Sequence, residues 1–318
     1  MKTLINNKRS SHLSIVIPTY NRAKFLDRCL ELLIPVVMKY NIAIYISDNS
    51  SKDNTKEVVD KRIKSYRFIE YQCNQDNLGA DKNFELALKM PMTDYIWLLG
   101  DTYQIKTESV NFLMEILLGG SQDVNAFVFN VIGRVGDIPS ISYSDKNKLL
   151  LDLGWHMTCM SSLVYARDLI SSARFERYRD TNFIQTRIIF EFIENREFVI
   201  RWVSEHSIFP VVVDGVKKNS WQNKTFQIWV ESWINFICSL PPSYAIDEKL
   251  RCIKMHGSKS GLFSLRGLLS LREKNILNIM EFKKYQKMFS GVINIPTFII
   301  FFISIFPKSI LRIRKYFF

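Results

Sequence analysis

Leu13-Ser-Ile-Val-Ile-Pro-Thr-Tyr-Asn-Arg22 is the stretch that decides how the rest of the chain is read. Its first half is a short apolar run closed by Pro18, the profile of a buried strand that stops at the proline. Its second half is polar. Asn21 is placed to cap a helix in which Phe25, Leu26, Cys29, Leu30 and Leu33 recur at helical spacing. Working outward, Ile42–Ser47 reads as a second buried strand, and a polar stretch from Asp48 leads to a helix over residues 55–64. Tyr66–Tyr71 predicts a third strand, Ala80–Met90 a helix, and Tyr95–Leu99 a fourth strand ending at Gly100-Asp101. Strands alternating with helices at this spacing predict βαβ units and a mostly parallel sheet flanked by helices, an α/β fold. Ligands of such sheets bind beyond the carboxyl ends of the strands. The polar clusters Thr19–Asn21, Asp48–Ser51 and Asp101–Tyr103 all fall there.

Composition excludes several classes. The chain has 318 residues, 47% hydrophobic and 23% charged, which is ordinary globular usage and excludes disordered and fibrous architectures. Cys29, Cys73, Cys159, Cys238 and Cys252 are scattered without metal-ligand spacing, so free buried thiols in a reducing compartment are expected. The amino terminus has no apolar run long enough for a secretory signal. After about residue 120 the pattern loosens. Val124–Ile132, Ser161–Tyr165, Val199–Val203 and Ile208–Val213 predict strands, and Thr181–Asn195 a helix. From Phe226 onward the chain reads as helices, with a domain boundary at residue 222.

Four segments in order carry a family resemblance: Ser14–Arg22, Tyr45-Ile-Ser-Asp-Asn-Ser50, Asn77-Leu-Gly-Ala-Asp-Lys-Asn83 and Trp97-Leu-Leu-Gly-Asp101. Together they resemble the bacterial family 2 glycosyltransferases of GT-A fold, in particular those that build O-antigen and capsular polysaccharides. The resemblance is clear over residues 12–118, which would form the donor-binding half of a catalytic domain, and thinner over the acceptor half, 119–222. It implies a nucleotide-diphosphate sugar donor, with UDP the expected nucleotide. Pro18, Thr19, Tyr20 and Asn21 would face its base, Tyr20 offering a ring for packing. Asp48 would accept a hydrogen bond from the base imide, as the family's equivalent aspartate does with uracil; the same residue also suits a turn or helix cap. Asn77, Gly79, Lys82 and Asn83 would line the same pocket, or simply punctuate a loop.

Asp101 stands where the family has a D-x-D motif for Mg²⁺ or Mn²⁺, but the last position here is Tyr103. The resemblance implies a metal held by Asp101 with the donor phosphates, His206 being a candidate further ligand and also an ordinary residue between strands. Tyr103 would alternatively bond a phosphate, or mark a lost activity. Family 2 enzymes generally invert the anomeric centre, which requires a carboxylate base. Arg179-Asp180-Thr181 lies at a plausible equivalent of the family's base position, making Asp180 the candidate, with helix capping as its other role. Trp155 and His156 are candidates to cover the acceptor, or core residues.

From Lys249 to Phe318 there are 14 basic and 2 acidic residues, while the rest of the chain carries 29 of each. Val292–Phe306 is strongly apolar but, as a helix of about 22 Å, too short to span a bilayer. Residues 223–318 therefore read as a helical, basic region resting on an anionic membrane, where a lipid-linked glycan acceptor resides; this places the protein peripherally on the cytoplasmic face of a bacterial inner membrane. Packing helices with a solvated basic face are the other reading. No nucleic acid is expected as a partner, since no recognised nucleic-acid-binding signature occurs. A sugar nucleotidyltransferase would want a glycine-rich basic loop after the first strand, which Pro-Thr-Tyr-Asn-Arg does not offer. A catalytically impaired scaffold is the remaining rival, motivated by Tyr103.

Overall fold

Every residue of β1 (Leu13–Thr19) is buried, as in a strand covered on both faces. In the computed structural model, which describes residues 8–120, 123–216 and 221–313, β1 pairs in parallel with β2 (Ala43–Asp48) on one side and β4 (Tyr95–Leu98) on the other. β3 (Ile69–Cys73) adds in parallel beyond β2. The helices α1 (Ala23–Met38), α2 (Thr55–Ser65) and α3 (Ala80–Lys89) make the crossovers. The register sets Thr19 opposite Asp48, so the polar residues after both strands emerge at one level.

Beyond β4 the sheet becomes mixed, with both antiparallel and parallel pairs. β5 (Tyr103–Gln104), α4 (Thr107–Leu118), β6 (Ala126–Val131), β7 (Ile141–Tyr143), β8 (Leu163–Ala166), α6 (Arg167–Ser172), α7 (Ile184–Phe192) and β9 (Ile200–Pro210) follow. The helix between β7 and β8, α5 (Lys146–Leu153), belongs elsewhere. The strand order is β3-β2-β1-β4-β8-β6-β9-β5, with β7 also on β9. Trp97 stacks on Phe129 at 4.4 Å beneath α4 and joins Leu13, Ile15, Ile17, Leu26, Leu30 and Leu33 in one core.

Three expectations change. The two strands predicted over 199–213 are one strand, whose register against β6 shifts between Phe129 and Asn130. Its polar middle, Ser204–Ser207, was read as a break. Asn21 does not cap α1: it takes φ 52° and is bonded to the opposite loop, its amide to Ser51 and its side-chain oxygen to the Lys52 amide. Asp53 instead accepts from the Ala23 amide at the start of α1 and from Thr55 at the start of α2. Among the cysteines, Cys29, Cys159 and Cys252 are buried free thiols, whereas Cys73 and Cys238 are exposed.

The chain divides into two units. The described residues up to Ser144, with Met157–Val216, form the first; Asp145–His156, with the residues from Trp221 on, form the second. The expected boundary at 222 thus lies slightly late, and a segment assigned to the acceptor half groups with the carboxyl-terminal helices. In this second unit α5 is capped by Asp145, which accepts from the Asn147 and Lys148 amides. It is joined by α8 (Trp233–Cys238), α9 (Ile246–Lys259), α10 (Leu265–Glu273), α11 (Ile279–Val292), α12 (Thr297–Ile305) and α13 (Lys308–Ile313). Phe226 is stacked on Phe263 and packs against Phe289, and the Trp233 indole donates to the Ile253 carbonyl. Among the described residues no helix is long and apolar enough to cross a membrane. Arg314, Lys315, Tyr316, Phe317 and Phe318 of the expected basic tail lie outside the described residues.

Candidate active site

The carboxyl ends of β1, β2 and β4 carry a set of braced polar groups. Asp101 follows β4, whose end is fixed by the Gly100 amide and the Trp97 indole, both donating to Ser161. The Asp101 carboxylate is buried; it accepts from the Thr19 hydroxyl at 2.9 Å and pairs with the Arg22 guanidinium at 3.4 Å. Tyr20 lies on the rim beside them, 41% exposed. Arg22 stood inside the quoted motif, yet its pairing with Asp101 had no signal in the spacing.

Asp48 is 1% exposed, and both of its oxygens have protein donors: the Ser51 amide at 2.9 Å and the Tyr71 hydroxyl at 2.7 Å. The turn role is therefore present in the structure. A carboxylate can accept further hydrogen bonds, so this arrangement leaves acceptor capacity for a base. Burial, followed by the bond to Asp48, pushes the Tyr71 phenol well above its ordinary pKa.

Asn77, Gly79 and Asn83 take part in the bonds that hold this edge together. Asn49, a residue the sequence reading passed over, donates to the Asn77 side chain and the Gly79 carbonyl and accepts from the Leu78 amide and Asn74. Buried Asn83 exchanges bonds with the Ser47 hydroxyl and carbonyl, tying α3 to the end of β2. Gly79 has φ 80° and ψ 167°, a region open essentially only to glycine. Lys82 bonds to Glu85 at 2.9 Å.

Glu85 is a hub. Burial would raise its pKa, but Lys89, Lys82 and Arg179 outweigh that and hold it at about 2. Arg179 reaches it from the loop before α7, at 3.2 Å. In that loop Asp180 is exposed and has φ 63°, and Asn182 has φ 66°. Both are strained conformations for non-glycine residues, Asn and Asp being among the most tolerant. Asp81, in the first turn of α3, accepts from the Thr181 and Asn182 amides at 2.8 and 3.0 Å. The structure thus brings the Asp180 loop to the start of α3, next to the loop held by Asn49.

Other candidates go elsewhere. The Tyr103 phenol is bonded to Cys159, whose proximity, with burial, drives its pKa far up, while Arg134 opposes the shift. His206 lies against Phe112 of α4, ring centroids 4.6 Å apart. Among the described residues no group of three or more His, Cys, Asp or Glu is arranged to hold a metal. The residues fit a site with Asp101 as its single protein carboxylate, and do not fit a two-carboxylate site. Trp155 and His156 are wholly buried in the second unit, their rings 5.9 Å apart, so they are core residues there and offer no face to an acceptor.

The doubly wound half-sheet, with a buried aspartate, an arginine and an exposed aromatic at its carboxyl edge, has the architecture of a GT-A fold. Residues 14–171 match Glycosyl transferase family 2, so the chain carries a domain of that family. It is 38% identical over 108 residues to abequosyltransferase RfbV of Salmonella typhimurium. It is 28% identical over 104 residues to the GalNAc(5)-diNAcBac-PP-undecaprenol beta-1,3-glucosyltransferase of Campylobacter jejuni. The matched stretches cover 33% and 32% of this chain and 32% and 33% of those relatives, about a third of each. Among solved structures, S. aureus TarS with UDP-GlcNAc aligns at TM-score 0.59 and 13% identity, covering 88% of this chain and 81% of that one. The Pyrobaculum calidifontis mannosyltransferase PcManGT with GDP-Man and Mn²⁺ aligns at 0.52 and 14%, covering 90% and 85%. At these identities the likeness establishes the fold.

Proposed function

We propose that this chain is an inverting glycosyltransferase that moves a sugar from a UDP-linked donor to a lipid-linked glycan in surface polysaccharide synthesis. The observation that carries the reading is the Asp101–Thr19–Arg22 group at the strand ends together with the exposed Asp180 on a loop pinned to the start of α3. The acceptor oxygen bonds to the anomeric carbon as the bond to the diphosphate breaks, and Asp180 takes the acceptor proton. Arg22 supplies positive charge beside the leaving diphosphate. A divalent cation, when bound, would neutralise the same charge, held by Asp101 and the donor's own phosphates. Tyr20 packs on the base, and Asp48 accepts from it with its remaining lone pairs. The test is a thermal-shift screen against UDP, GDP and CDP, followed by donor hydrolysis with and without Mn²⁺. Stabilisation by UDP with measurable turnover supports the reading; no response to any nucleotide sinks it. That second result would favour a scaffold protein, the reading to which the Tyr103–Cys159 bond lends weight.

We also propose that the second unit rests peripherally on an anionic membrane, at the cytoplasmic face. Phe298 and Phe302 on α12 are 64% and 60% exposed, Ile305 is exposed beside them, and α11 exposes Lys283, Lys284 and Lys287. Truncation at 291 would be a poor test, because Val292, Ile293, Ile300 and Ile303 are core residues of this unit. Phe298→Ser with Phe302→Ser keeps that core. At about 1.5 kcal/mol or more per buried Phe, the pair should weaken sedimentation with phosphatidylglycerol vesicles at least about 100-fold. High salt should weaken the rest. Full-length protein that ignores such vesicles rules out membrane attachment.

A further inference from the structure

We propose that Asp81 is the residue that positions Asp180, holding the 179–182 loop in its reactive conformation only while ionised. The proposal rests on the reading of Asp180 as the base. Three observations carry it. First, the loop adopts positive φ at Asp180 and at Asn182, conformations that persist only when the surroundings over-determine them. Second, the restraint comes from one face of α3. The Asp81 carboxylate accepts from two successive amides of the loop, with the Asp180 amide a weaker third, and Glu85 one turn on grips Arg179. Third, Asp81 is only 6% exposed, and its second oxygen has no hydrogen-bond partner. Such a carboxylate is costly to keep charged, and burial accordingly raises its pKa to about 6, the loop amides and nearby Asp180 acting in opposite directions.

The charged surroundings are few. Asp180 is the like charge on the loop, and Lys82, Glu85, Lys89 and Arg179 form the neighbouring cluster. α6 and α7, which also pack on α3, carry Arg167, Asp168, Arg187 and Glu191; of these, Glu191 is paired with Arg177. β1 has no charged residue, and Asp48 of β2 is engaged with Ser51 and Tyr71. Protonation of Asp81 at its unpartnered oxygen strips the charge from the two bonds that its other oxygen accepts, and the weakened restraint lets the strained residues relax. Base catalysis is then lost below about pH 6 through Asp81, whatever the state of Asp180 itself.

The experiment uses the full chain with UDP-glucose, UDP-galactose, UDP-GlcNAc and GDP-mannose as donors and water as acceptor, from pH 5 to 8, alongside hydrogen exchange of the 178–185 backbone. Each charge-assisted bond lost corresponds to about 10-fold or more in protection. Asp81→Asn keeps an acceptor oxygen but no charge, so its weakened bonds should cost about 10-fold protection in that segment at pH 7.5, with protection elsewhere unchanged. A misplaced base costs on the order of 100-fold in kcat, with KM for the donor unchanged. The wild-type inflection of log kcat near pH 6 should vanish in Asp81→Asn, and Asp81→Glu should restore part of the rate. Unaltered exchange together with an unaltered pH profile in Asp81→Asn would overturn the proposal. Asp180→Asn reports separately: full turnover in that variant removes Asp180 as the base, even where Asp81→Asn frees the loop.

Discussion

The donor edge and the Asp180 loop are both built from short polar segments at the ends of buried elements, but they are braced differently. At the donor edge the loops brace one another. Asn49 alone joins residues 74, 77, 78 and 79, Asn83 ties in Ser47, and Asn21 and Ser51 close the opposite side. The Asp180 loop relies on two carboxylates of α3, Asp81 and Glu85, for the side-chain bonds that tie it to that helix. Redundant bracing makes the donor edge tolerant, since one lost bond leaves several others. A loop tied to its helix through two carboxylates feels the loss of either one. On the proposed reading, donor recognition is served by a rigid frame, while Asp180 sits where the charge of Asp81 bears on its loop.

The largest effect that would sharpen this comparison is at Asp101, because it holds both Thr19 and Arg22. Asp101→Asn is expected to lower donor hydrolysis by about 10²–10³-fold, the usual scale for removing one preorganised electrostatic group. Tyr103→Phe removes the phenol's bond to Cys159 and should change the rate less than about 10-fold. Equal damage from the two would place the Tyr103 phenol at the phosphates and break the picture of a donor edge centred on Asp101.

A smaller effect is expected at Asp48. Asn in its place keeps an acceptor for the Ser51 amide, so the turn should survive. The loss of charge should weaken UDP binding about 10-fold, from a charged to a neutral acceptor. Titration calorimetry with UDP reads this directly. Unchanged affinity, with a lowered melting temperature, would return Asp48 to the role of turn residue alone.

The same contrast explains what the sequence disclosed. The strands at 13–19, 43–48 and 95–98 were legible because each is a continuous apolar run, which only a doubly covered strand needs. Asp101 and Asp48 were legible because strand ends are where parallel sheets place ligands. β9 was read as two strands, since Ser204–Ser207 interrupts its apolar run where the register shifts. The two-residue β5 left no pattern at all. Trp155 and His156 misled, because polar and aromatic residues in an irregular segment look alike whether they line a pocket or a core. Asp81 lies inside the Asn77–Asn83 segment and Glu85 just beyond it, yet acids four apart on a helix ordinarily mark a solvated face. The available signal was their flanking of Asn83, itself placed on the inner face by the motif.

The last effect concerns stability, and its sign separates the two regions. Asp81 has a native pKa of about 6 against an ordinary 3.8, so the folded protein binds a proton there more tightly than the unfolded chain does. Its contribution to stability is full below pH 3.8 and is lost as pH rises through 6. Glu85 has the opposite sign: held at about 2 against 4.5, its contribution is present above 4.5 and disappears as pH falls through 2. Asp81→Asn removes only the first. Whatever offset the new amide introduces, the stability of the variant relative to wild type should therefore increase between pH 4 and 7, by up to about 3 kcal/mol, and then level off. Urea unfolding at pH 4.5 and 7.5 measures the difference. A variant that gains relative stability at neutral pH while losing kcat is what a charge retained for positioning predicts. If the difference between variant and wild type is the same at both pH values, Asp81 is not held in the strained ionisation described here, and the loop is braced as redundantly as the donor edge.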